Sequence, residues 1–269
     1  MDHITKAYAD CAGGQVHYHR LPGADTPDGP LPVVFFHQTA SSGKMFYQVM
    51  ARLAGSRPLV AFDTPGFGGS FDPDGMPSMA DYADWLAEAA ADVGLGRYHV
   101  VGHHTGACVG VELTARHPGR VASLSMIGPV PLTAKERAAF REHYSTPFSP
   151  TPDGAYLKTT WDYLAGLGAG SDIDLHHREL VDTVRAYWGR YQAYSAVWDQ
   201  DFVAHYTAVS CPLMILCATD DVLMPYFDRA RDMRPDAVAV TLAGSNFEPD
   251  QDPDGVATAL REFLATVPE

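Results

Sequence analysis

The stretch Gly102-His103-His104-Thr105-Gly106 decides the reading of this chain. It joins an apolar run, Tyr98-His-Val-Val-Gly102, to a helical pattern, Ala107-Cys-Val-Gly-Val-Glu-Leu-Thr-Ala-Arg116. Between a strand and a helix, the pattern G-x-S-x-G bends the chain sharply and presents its central side chain at the end of the sheet. Both glycines stand at that spacing here, and the central residue is His104 rather than Ser. The backbone signal is kept while the chemistry at its centre is changed.

Upstream, Pro32-Val-Val-Phe-Phe-His37 and Pro58-Leu-Val-Ala-Phe-Asp63 are short apolar runs of the kind buried on both faces of a parallel sheet. Residues 45–53 and 79–93 read as helices, the second with Tyr82, Leu86, Ala89 and Val93 at helical spacing. Residues 8–11 and 15–21 flank Gly13-Gly14 and predict an opening hairpin. Downstream, Val121-Ala-Ser-Leu-Ser-Met-Ile127 is a further strand. Strands alternating with helices predict βαβ units and a sheet covered on both faces.

The alternation stops at Pro129. Residues 131–206 are helical in pattern and rich in aromatic side chains. Leu180, Val184, Tyr187, Tyr191 and Tyr194 make a stripe at helical spacing, read as packing of one helix on its neighbours. Tyr144 and Trp161 lie off that stripe and are candidates to line a pocket. Strands resume at Pro212-Leu-Met-Ile-Leu-Cys217 and Ala237-Val-Ala-Val-Thr-Leu242, followed by a helix over 256–264. The expected division is a core of residues 1–130 and 207–269 and a helical cap of residues 131–206.

Bulk properties narrow the function. A length of 269 residues fits one α/β domain with an insertion. A formal charge of -14 argues against nucleic acid or an anionic membrane as partner. Cys11, Cys108, Cys211 and Cys217 show no C-x-x-C spacing, and free thiols suit a reducing compartment. The opening Met-Asp-His-Ile-Thr-Lys carries no signal-peptide pattern, and no apolar run reaches the ~18 residues of a membrane span. The expectation is a cytoplasmic protein, with a homodimer left open.

Several motifs then fall in one order, each at the end of a predicted strand. They are Phe36-His37-Gln38-Thr39, Asp63-Thr-Pro-Gly-Phe-Gly-Gly-Ser70, the Gly102–Gly106 turn, Thr219-Asp220-Asp221-Val-Leu-Met-Pro225 and Ser245-Asn246-Phe247. In this order the chain resembles the α/β-hydrolase superfamily, in its capped, epoxide hydrolase/haloalkane dehalogenase-like branch. The resemblance covers nearly the whole chain. It implies an α/β fold with an eight-stranded, mostly parallel sheet, helices on both faces and a helical cap. It also implies that His104, Asp221 and Asn246 stand where the family has its Ser, acid and His. Asp221 is preferred to Asp220 because it lies four residues before Pro225. The oxyanion hole implied is the backbone N–H of Thr39 and of Thr105.

The departures set the expected chemistry. An amide has no useful proton affinity near neutral pH, so Asn246 is not a base. An imidazole reaches well past a Ser oxygen, so His104 projects into the space vacated by the missing histidine and approaches Asp221, directly or through Asn246. His104 is then the general acid/base, with Asp221 fixing its tautomer. Asn246 orients a substrate carbonyl, a water or His104. Hydrolysis by an activated water is the favoured expectation. Lyase or cyclase chemistry beside a carbonyl and a binding protein with a dead triad are the alternatives. Gln38 adds a polar side chain near the site, and His37 either meets the substrate or braces its loop. His103 packs behind the turn. No H-E-x-x-H or G-x-G-x-x-G pattern is present, so no metal, nucleotide or flavin is expected. The expected partner is a partly apolar small molecule.

Overall fold

Val33-Val-Phe-Phe36 is fully buried, and its alternate side chains belong to different cores. Val33 and Phe35 pack on one face of the sheet, and Val34 and Phe36 on the other. A strand covered on both faces has no polar side, which explains the unbroken apolar run. A computed structural model describes residues 3–23 and 29–268. The extreme ends of the expected core, residues 1, 2 and 269, lie outside it, as does part of the opening Met-Asp-His-Ile-Thr-Lys segment.

The strands are β1 (Thr5–Cys11), β2 (Gly14–Leu21), β3 (Val33–Phe36), β4 (Leu59–Phe62), β5 (Tyr98–His103), β6 (Val121–Ile127), β7 (Leu213–Ala218) and β8 (Val238–Leu242). They form an eight-stranded sheet in the order β1-β2-β4-β3-β5-β6-β7-β8. The first two pairings, β1 with β2 and β2 with β4, are antiparallel, and the rest are parallel. The expected α/β-hydrolase fold is therefore observed. The hairpin differs by one residue: Cys11 pairs with Gly14, so Ala12 and Gly13 form the turn and Gly14 opens the strand.

Helices α1 (Tyr47–Leu53), α2 (Met79–Asp92) and α3 (Thr105–Arg116) follow β3, β4 and β5. Between β6 and β7 lie α4 (Ala134–Tyr144), α5 (Ala155–Gly166), α6 (Ile173–Arg185), α7 (Tyr187–Asp199) and α8 (Phe202–Ala208). After β7 come α9 (Phe227–Met233), α10 (Glu248–Gln251) and α11 (Pro253–Leu264). Side chains of α2 and α3 join one core and those of α1 and α11 the other. Ser78 starts α2 with a capping box, its hydroxyl accepting from Asp81 N–H. No helix among the described residues is long and apolar enough to cross a membrane.

The expected stripe from Leu180 to Tyr194 is not one helix. The chain breaks at Ala186, between α6 and α7, and Tyr187 and Trp188 are exposed. Equal spacing in sequence carried the pattern across a turn that changes the helix axis.

Candidate functional site

The turn between β5 and α3 is built by its glycines. A side chain at Gly102 would strike the backbone of Gly106, and one at Gly106 would strike Phe36 O. Strand and helix therefore approach closer than any Cβ permits. His104 between them has φ 47° and ψ -105°, a strained conformation for a non-glycine residue. Its N–H donates to Ile127 O at 2.9 Å and its carbonyl accepts from Ala107 N–H at 2.9 Å. Both bonds hold the bend.

The imidazole lies over Gly128, where a Cβ would overlap its Cδ2 and Nε2 atoms. From there Nε2 donates to Asp221 Oδ2 at 2.7 Å. The contact is direct rather than through Asn246. The bond fixes the tautomer, leaving the lone pair on Nδ1. Asp221 Oδ1 accepts from Leu223 N–H at 2.6 Å. Burial works to raise the Asp221 carboxyl, but His104, a hydrogen bond from Glu248 and the Leu223 N–H together hold it well below the usual carboxylate range. The neighbouring Asp220 is exposed.

Behind Asp221 is a second carboxyl. Glu248, on the first turn of α10, is fully buried, and its Oε1 accepts from Ala218 N–H at 3.1 Å. Burial, then the Asp221 charge, pushes Glu248 well above the ordinary range, so it holds the proton that the pair shares. His103 packs behind the turn as expected, fully buried, with Nε2 3.0 Å from Glu248 Oε2. That approach is too poorly aligned for a hydrogen bond, and both atoms stay unpaired. Burial, with His104 adjacent, lowers the His103 imidazole well below its ordinary value, so it stays neutral.

In front of His104 lies a chamber of about 50 Å³. Its polar side is Gln38, Thr39, His104, Thr105 and Asn246. Its other side includes Phe140, Tyr144, Tyr163, Tyr194 and Trp198, all from the helices between β6 and β7. Asn246 Oδ1 accepts from Val222 N–H at 3.3 Å and its carbonyl accepts from Gln38 Nε2 at 2.9 Å. Through its side chain and its main-chain carbonyl together, Asn246 ties the Asp221 loop to the loop after β3. Thr105 Oγ1 donates to Thr39 Oγ1 at 2.9 Å, and Thr39 O accepts from Tyr194 OH at 3.3 Å. As the first residue of α3, Thr105 has an N–H without an intrahelical acceptor.

Two expectations are corrected. His37 does not face the chamber: its Nδ1 donates to Gln38 O at 2.7 Å and its Nε2 accepts from Thr64 N–H at 2.9 Å. With both nitrogens used and the ring buried, it braces the loop, and burial lowers its proton affinity. Trp161 does not line the chamber either. Its ring stacks on His176 at 3.5 Å, and His176 Nε2 donates to Trp161 O at 2.8 Å. Tyr163, two residues on, faces inward instead. Two residues turn a helix by ~200°, so the phase of α5 decides between them. Glu248, Tyr163 and Tyr194 are the site residues that sequence reasoning missed.

Relatives match over most of their length. A putative carbamate hydrolase, RutD, of Yersinia enterocolitica is 28% identical over 216 residues, covering 78% of this chain and 77% of that protein. A fluoroacetate dehalogenase of a Burkholderia species is 27% identical over 272 residues, covering 88% of each. Among solved structures, the enol-lactonase of Burkholderia xenovorans LB400 superposes with a TM-score of 0.78 at 18% identity, over 96% of this chain and 100% of that one. Epoxide hydrolase A of Mycobacterium thermoresistibile does so with a TM-score of 0.78 at 18% identity, over 99% of each. Fold, motif order and relatives agree with the expected hydrolase-like enzyme. Residues 33–259 match the alpha/beta hydrolase family, and the chain belongs to it.

Proposed function

We propose that the chain hydrolyses a small carbonyl compound in the chamber, using a water activated by His104. The observation that carries this reading is the direct 2.7 Å bond from His104 Nε2 to Asp221, with the ring on the chamber wall. Nδ1 takes a proton from water as the water oxygen bonds to the carbonyl carbon. Asp221 stabilises the imidazolium that forms. The backbone N–H groups of Thr39 and Thr105 receive the developing oxyanion. The tetrahedral intermediate collapses, the bond to the leaving group breaks, and Nδ1 returns the proton to that group. The Asn246 amide N–H groups orient the substrate or the water.

Residues 131–206 act as the cap, supplying the aromatic wall that excludes bulk water. The chemistry needs no metal or organic cofactor. The name of the carbamate hydrolase relative supports a carbonyl substrate. The strained turn at His104 supports a water mechanism over acyl transfer to the ring, since the imidazole is already packed between Gly128 and Asp221.

The test is a panel of small esters, amides and carbamates, with products read by NMR. His104→Ala and Asp221→Asn should each lower kcat on the best substrate by about 10²–10⁴. Single turnover in isotope-labelled water should place the label in the acid product, with no acylated His104 by mass spectrometry. Undiminished turnover in both variants overturns the reading.

A further inference from the structure

Arg190 is a buried guanidinium with no carboxylate beside it. It lies in α7 and is 2% exposed. Its Cζ stands 4.4, 5.3 and 5.0 Å from the ring centres of Phe148, Tyr163 and Tyr194. Nη1 donates to Thr146 O at 2.6 Å. Among the described residues its other N–H groups have no acceptor and it makes no ion pair. A guanidinium offers five N–H donors, and buried charges are ordinarily paired. The rings supply cation–π attraction to its face but accept nothing from its in-plane N–H groups.

Arg190 lines a void of about 10 Å³, shared with Gln38, Thr39, Tyr163 and Glu179. Gln38, Thr39, Tyr163 and Leu167 line the His104 chamber as well, so the two spaces adjoin. A void of that size admits about one water-sized group, or one oxygen of a larger one. Glu179 is not the missing counter-charge. Its Oε1 accepts from Arg178 Nη2 at 2.7 Å and from Ser41 Oγ at 2.9 Å. Burial pushes its carboxyl up to about 7 against the pull of Arg178.

We propose that Arg190 is the anion-binding residue of this chamber and that the substrate is a small carboxylate. One carboxylate oxygen enters the void and accepts from Arg190, which leaves the rest of the molecule in the chamber before His104. The proposal rests on the reading of the chamber as the reaction site. It fixes one end of the substrate by charge, where the aromatic wall alone would select only for apolar bulk.

Acetate and its uncharged isostere acetamide are the probes, titrated into the full chain at constant ionic strength and followed by protein-observed NMR. Binding is read without turnover, so failure here leaves the His104 kinetics to be judged separately. Acetate should bind at least about tenfold more tightly than acetamide, a gap of about 1.4 kcal/mol. Arg190→Met should abolish that preference, and Arg190→Lys should keep part of it through charge alone. A smaller preference, absence of acetate binding, or a preference that survives in Arg190→Met overturns the proposal. Where Arg190→Met does not fold, Arg190→Lys carries the test, and a preference undiminished in that variant overturns the proposal.

Discussion

His104–Asp221 and His17–Asp63 are contacts of the same length, 2.7 Å, made by imidazoles of the same side-chain exposure, 13%. Their surroundings differ. Asp63 Oδ1 accepts from His19 Nε2 at 3.1 Å and Gly43 N–H at 2.7 Å. Its Oδ2 accepts from His17 Nδ1 and from Gly69 N–H at 2.9 Å. The other nitrogen of His19 is bonded to Tyr47 OH at 2.8 Å. Four donors fill that carboxylate, and the loop over residues 63–70 is tied to β2. At His104 the partner carboxylate is held by the ring and by Leu223 N–H, and the ring borders a chamber. Distance and exposure do not distinguish the two pairs; the chamber beside the His104 imidazole does.

The contrast breaks if the two pairs respond alike. The largest expected effect is on catalysis, where His104→Ala lowers kcat by about 10²–10⁴ in molecules that remain folded. Asp63→Asn should do the reverse, costing about 3–5 kcal/mol in urea unfolding while folded molecules keep their turnover. Burial opposes ionisation of Asp63, yet His17 and His19 hold its carboxyl well below the usual range. A depressed carboxylate contributes its stability above its unfolded pKa and loses it as pH falls. The gap between wild type and Asp63→Asn should therefore shrink in acid below about pH 4.

Glu248→Gln sharpens the same contrast. Its raised carboxyl means that the folded chain binds a proton which the unfolded chain releases above about pH 4.3. Wild type should lose stability relative to Glu248→Gln as pH rises from there, measured by thermal melts across neutral pH. A gap that does not move with pH would mean that Glu248 is ionised in the fold. The smallest effect belongs to the helical segment. Tyr163→Ala should raise KM several-fold, whereas Trp161→Phe should leave it within about twofold.

The fold was legible because its signals are local and repeat: apolar runs ending in polar turns, with glycines at fixed offsets. His104 and Asp221 were legible for the same reason, since each sits at a strand end whose position the motifs fix. Glu248 was not. An acidic residue in the first turn of a helix reads as a surface complement to the helix dipole, and only the tertiary fold buries this one against Asp221. The partners of His37 are backbone groups, which carry no residue signature. Tyr163 and Trp161 could not be told apart without the phase of α5, and the stripe to Tyr194 hid the break at Ala186. Arg190 falls between two members of that stripe, Tyr187 and Tyr191, and its burial among rings gives no sign in the sequence.

Gly128 has φ 63°, a left-handed turn that favours glycine whatever its neighbours do. Because it has no side chain, the His104 ring has room. A small residue at position 104 tolerates glycine at 128, but histidine at 104 does not tolerate a side chain at 128. With the ring bonded to Asp221 in this position, residue 128 is held to glycine twice over, once by its own backbone and once by the imidazole that lies across it.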